Sequence, residues 1–171
     1  VNIPNIVERV YANTKASIQN YPCRGCRASS IGDPCERRLV YEITSWDQKP
    51  ATEVGLERIF REGAIQERAV LAELAESGVP VIGQQQSFRL ENITGHVDGA
   101  ISVQNNGESM SIPLEIKSMA SHIWESIFRR GPGAYDWFEV ADGFQKKVWL
   151  RRYYAQLQMY ALGKNAEMAL L

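Results

Sequence analysis

The sequence predicts a single α/β domain, and three observations predict it. A long helical pattern lies in the first half, three strand-like stretches follow it, and a second strong helical pattern comes after them. The 171 residues are enough to bury one core. Composition is globular, with 44% hydrophobic and 23% charged residues.

Weak amphipathicity over 6–18 predicts an N-terminal helix. Residues 21–34, rich in Cys, Gly, Pro and Arg, read as irregular. A helix is expected over 36–43 and a loop over 46–50. The clearest helix spans 54–77 and is stopped by Gly78 and Pro80. Strands are predicted over 81–90, 94–103 and 110–117, with Asn105, Asn106 and Gly107 marking a hairpin turn between the last two. Helix follows over 119–129, a Gly/Pro-containing connection over 131–145, and helix again over 148–162, ended by Gly163. Residues 168–171 read as the start of another strand. The sequence shows no repeat, no linker and no apolar run near the roughly 18 residues of a membrane span. The whole chain, 1–171, is therefore taken as one domain, with its N-terminal helix and Cys-containing segment in 1–50.

Net charge is −1, but it is unevenly spread. Between Glu53 and Glu91 seven acids face four arginines, and between Lys117 and Arg152 seven bases face four acids, giving −3 and +3. A near-neutral total can thus hide a basic surface, or these charges simply solvate helices. The absence of a basic start followed by an apolar stretch, together with an odd count of three cysteines at 23, 26 and 35, points to the cytoplasm rather than to a secreted disulfide framework.

Alternation places His96 and Asp98 on one face of the second strand, and Glu115 and Lys117 on one face of the third. Pairing the two strands brings Asp98 near Glu115 and Lys117. Two acids that close repel unless a cation lies between them, which is the pattern of a hard-metal site; a cross-strand salt bridge is the other reading. Phe60, Ala64, Glu67, Leu71 and Leu74 are spaced 4, 3, 4 and 3, so Glu67 falls within an apolar helical stripe. It reads either as a third oxygen ligand or as a stripe-edge acid reaching to water, and Gly63 beside it would allow close backbone approach. Gln156 and Tyr160 share a helix face flanked by Arg151 and Arg152, a set suited to phosphate and base contacts, with packing through Leu150, Tyr154, Leu157 and Ala161 on the other face. No G-x-x-x-x-G-K-[ST] is present, so no nucleotide-driven motor is encoded. With two histidines and no G-x-S-x-G, a Ser–His–Asp hydrolase is not indicated.

In order, G-x-x-x-E at Gly63–Glu67, G-x-x-D at Gly95–Asp98, E-x-K at Glu115–Lys117 and Q-x-x-x-Y at Gln156–Tyr160 resemble the PD-(D/E)XK nuclease superfamily. Within it they look most like the RecB-like and CRISPR-associated exonuclease branch, which includes phage members. The segment Ala28–Tyr41 resembles that branch's S…C-x-R…Y element. The resemblance implies a restriction-endonuclease-like core, a central mixed sheet flanked by helices. It also implies a Mg²⁺- or Mn²⁺-dependent deoxyribonuclease, an exonuclease by its branch, acting on single-stranded DNA or duplex ends and leaving a 5′-phosphate. In those terms Asp98, Glu115 and Lys117 are catalytic. Glu67, Asp98, Glu115 and the Ile116 carbonyl hold metal, and Gln156, Tyr160, Arg37 and Arg38 position the strand. Protein partners would belong to recombination, repair or phage replication.

The sequence departs from the pattern in several places. Val97 replaces the proline that names the superfamily, and Glu67 stands where this branch often carries His. Iron–sulfur members place one cysteine early and three late, whereas here Cys23, Cys26 and Cys35 are all early. They are expected as free thiols, with a zinc or iron–sulfur site as the other reading. The chain also stops where the family continues with a further strand. The rival function is a non-catalytic DNA-binding or scaffold module built on a cysteine knuckle. His96 is a candidate DNA contact, and His122 a surface helix residue.

Overall fold

The alternating stretch around Asp98 forms one extended run that changes partners partway along it. The computed structural model describes residues 3–105, 107–128 and 142–171. In chain order the helices are α1 (Ile3–Ser17), α2 (Glu36–Thr44), α3 (Val54–Glu76), α4 (Ser121–Phe128) and α5 (Val148–Gly163). The strands are β1 (Cys26–Arg27), β2 (Val81–Ile82), β3 (Gln86–Leu90), β4 (Ile93–Val97), β5 (Gly99–Asn105) and β6 (Glu108–Leu114). Short 3₁₀ turns occupy Ala28–Ser30 and Trp46–Gln48. The chain is thus a mixed α/β protein with small sheets. Most of the connection expected over 131–145 lies outside the described residues.

Instead of one central sheet, the described residues form two sheets of three strands, ordered β1-β4-β3 and β2-β5-β6. β1 runs parallel to β4, and the other pairings are antiparallel. The expected strand 81–90 is broken because Gly83 and Gln85 take φ of +58° and +54°, which ends the β2 ladder and starts β3 in the other sheet. The expected strand 94–103 passes between sheets at Asp98. The β5–β6 hairpin follows the predicted turn, with Asn105 opposite Glu108 and Gly107 at φ +86°. At the chain's end Leu170 bridges in parallel to Leu114, its N–H donating to Pro113 O at 2.8 Å.

Helix α5 links two cores. Tyr160 packs with Ala28, Phe88 and Val97, while Leu150 packs with Ile127 and Phe144. Leu150 and Leu157 are buried as expected, but Tyr154 is 37% exposed, and the face carrying Gln156 and Tyr160 is buried instead. α3 corrects a second expectation. Val54 is its one buried residue; along the stripe Phe60 is 58% exposed and Ala64 is also exposed, while Glu67, Leu71 and Leu74 are half-buried, so Glu67 is partly covered and not sealed in a core. Among the described residues no helix is long and apolar enough to cross a membrane.

Candidate functional site

Asp98 sits where the extended run leaves one sheet for the other, and its backbone joins both neighbours. Its N–H donates to Leu114 O at 3.1 Å, and its carbonyl accepts the Gln85 N–H at 3.3 Å. Its carboxylate reaches across the hairpin, where Oδ2 accepts the Ile116 N–H at 2.7 Å. Register alone dictates this: Gly99 pairs with Leu114, so the next residue out on each strand, Asp98 and Glu115, must be neighbours.

Glu115 is only 2% exposed. Its backbone N–H is held by Leu170 O at 2.9 Å. Its Oε1 accepts Nε2 of Gln156 at 2.9 Å and Nζ of Lys117. Its Oε2 is buried and has no hydrogen-bond partner among the described residues. Burial pushes the Glu115 carboxyl above its ordinary value; Lys117 opposes that shift and the charge of Asp98 adds to it. The Gln156 amide also donates to Tyr160 OH at 2.5 Å. Burial, then the neighbouring Glu115 carboxylate, pushes the Tyr160 phenol up, so it stays protonated. Lys117 Nζ lies 5.5 Å from the centroid of the Tyr153 ring, a cation–π contact that steadies it from the other side.

Glu67 reaches the same region from α3. Its Oε1 accepts Nε2 of Gln85 at 2.8 Å, and that same amide nitrogen lies 3.3 Å from Asp98 Oδ1. Gln85, Asp98, Glu115, Gln156 and Tyr160 line a pocket of about 450 Å³, together with Arg27 and the exposed His96. As placed, no three His, Cys, Asp or Glu side chains among the described residues are grouped to hold a metal ion. The donors around the pocket are nevertheless hard oxygens, and one of them, Glu115 Oε2, is buried without a partner.

The other predicted residues lie apart from this pocket or play a different part. Gln156 and Tyr160 are buried against Glu115 rather than presented to a strand. Arg37 and Arg38 line a separate cavity of about 680 Å³ with Cys35, Tyr41 and Lys49, and Arg38 is tied to Asp33 at 3.1 Å and Glu42 at 3.5 Å. The three cysteines form no disulfide, and Cys23 Sγ donates to Gly25 O at 3.2 Å. His122 is exposed on α4. Two pocket residues, Gln85 and Arg27, carry no signal in the sequence. Gln85 lies inside an apparently continuous strand. Arg27 lies in a segment that reads as irregular, yet it borders the acid pocket and a neighbouring cavity of about 330 Å³ that Arg38 and Arg152 also line. No protein-family model, curated protein or solved structure matches the chain.

Proposed function

We propose that this chain is a divalent-metal-dependent deoxyribonuclease on a restriction-endonuclease-like core, hydrolysing phosphodiester bonds. The observation that carries this reading is the buried Glu115, tied through one oxygen to Lys117 and left with an unpartnered second oxygen beside Asp98. A buried acid with a spare oxygen calls for a cation or a donor.

Mg²⁺ or Mn²⁺ suits oxygen donors, and Glu67, Asp98, Glu115 and the Ile116 carbonyl are the groups that would hold it. When bound, such an ion lowers the pKa of water and neutralises charge on phosphate. The chain's own residues do the rest. Gln156 fixes the rotamer of Glu115, and the Ile116 N–H fixes that of Asp98. Lys117, held by Glu115 with 29% of its side chain exposed, places an ammonium where phosphate charge increases during attack. The water loses a proton to solvent as its oxygen bonds to phosphorus, the P–O3′ bond breaks, and the departing O3′ takes a proton from solvent, leaving the 5′-phosphate that the resemblance implies. Arg27, Arg38 and Arg152 supply positive charge beside the pocket for the DNA backbone.

The test is hydrolysis of end-labelled linear and covalently closed circular DNA, single- and double-stranded, in Mg²⁺, Mn²⁺ or EDTA. Metal-dependent cleavage with 5′-phosphate products is expected, and intact circles would mark an exonuclease. A folded protein that cleaves none of these substrates with either metal overturns the proposal.

A further inference from the structure

Gln85 stands in an arrangement that a turn between two strands does not explain. It is a non-glycine residue in the left-handed region, φ +54°, a conformation costly for a side chain bearing a Cβ and retained where surroundings fix it. The kink it forms with Gly83 ends one ladder, starts the other, and sends its amide between two carboxylates. Nε2 meets Glu67 Oε1 at 2.8 Å and Asp98 Oδ1 at 3.3 Å.

A donor that bridges two acids occupies electrostatically the place a cation would take. The acids alone are not grouped for a metal among the described residues, so a cation site here needs another donor. An amide carries one. Half a turn about its last torsion exchanges Nε2 for Oε1, and an amide oxygen is an ordinary ligand for hard divalent ions. Gln85 is exposed, leaving room for that turn. Independently of these contacts, Glu115 lines the pocket with Gln85 and Asp98, and its buried Oε2 has no hydrogen-bond partner among the described residues.

We propose that Gln85 is a switchable member of the cation site: its amide nitrogen holds Glu67 and Asp98 together, and on cation binding the amide turns over and offers its oxygen to the metal. The inference rests on the divalent-cation reading above and adds to it a positioning residue that the sequence motifs do not contain.

Calorimetric titration with Mn²⁺ of the parent, Gln85→Gly, Gln85→Glu and Gln85→Lys, with thermal unfolding of each in EDTA, tests it. Glycine keeps the left-handed backbone free of strain, so its effect reports the lost amide. Gln85→Gly is expected to lose about tenfold in Mn²⁺ affinity. Gln85→Glu should bind at least as tightly as the parent. Gln85→Lys should bind no Mn²⁺ yet melt higher than the parent in EDTA, because a tethered ammonium replaces the ion. Affinity of Gln85→Gly within about twofold of the parent overturns this inference and leaves the cation site standing. A folded parent that binds no Mn²⁺ overturns both.

Discussion

Glu115 carries its charge where a carboxylate is costly, and the cost has a sign that can be measured. Burial raises its folded pKa above the ordinary 4.5. A raised acid stabilises the fold below the unfolded pKa, and that contribution is lost as pH rises through the folded value. In EDTA, Glu115→Gln is therefore expected to melt above the parent at neutral pH, with the gap narrowing towards pH 4.5 and below. A parent that melts higher at neutral pH, with no pH dependence in the difference, would remove the burial argument. Lys117 is the counterweight. Lys117→Ala should abolish hydrolysis and also cost on the order of 1–2 kcal/mol of stability, since a charge-assisted bond to a buried acid is lost. Lys117→Arg separates the two effects, because a guanidinium keeps the charge but spreads it over a planar fork in place of a compact ammonium. It should recover most of the melting temperature and little of the hydrolysis. Parent-like hydrolysis by Lys117→Arg would show that any fixed cation serves at this position. The nearness of Asp98, Glu115 and Lys117 was legible because strand alternation and one hairpin turn determine it. The clasp of Gln156 on Glu115 was not, since it joins residues 41 apart through helix packing that no local pattern encodes.

Two glycines from the same set of motifs play opposite parts in their elements. At Gly95 in β4 an added Cβ would lie 2.6 Å from the Phe88 ring and 2.9 Å from the Ala28 Cβ, inside the cluster that seats Tyr160. At Gly63 in α3 it would meet nothing closer than Ser118 Oγ at 3.8 Å. Gly95→Ala is expected to destabilise by about 1–3 kcal/mol through overpacking. Gly63→Ala should instead stabilise by about 0.5–1 kcal/mol through helix propensity. Denaturant unfolding of both variants checks this, and equal effects would refute the contrast. The expectation of close approach at Gly63 fails, and Glu67 is covered only in part, for the same reason. A 3.6-residue period shows which side chains share a helix face, while only tertiary structure shows whether anything covers it. Likewise the apolar pattern over 81–90 showed strand but not its break, because the left-handed turn there includes Gln85, a residue with no turn preference.

The molecule as a whole was legible as α/β, because long helical and alternating patterns are the strongest local signals. Its division into two sheets was not, since ladder partners are chosen across the chain. The clearest long-range choice is the return of the C-terminal segment to β6. Removing residues 168–171 deletes the acceptor for the buried Glu115 N–H and the donor to Pro113 O. A buried backbone donor left without a partner costs about 1–3 kcal/mol. The truncated chain is expected to melt lower and to bind Mn²⁺ more weakly than the parent, by thermal unfolding and calorimetry. Unchanged Mn²⁺ affinity would show that this pairing supports the fold and not the site.

That pairing also orders events in time. The acids at 67, 98 and 115 are all synthesised well before Leu170, yet the backbone of Glu115 is pinned only when Leu170 docks. A chain synthesised no further than Lys117 therefore carries all three acids without the bond that seats the buried one. Glu115 is therefore seated only after Leu170 has been made, however early its own hairpin pairs.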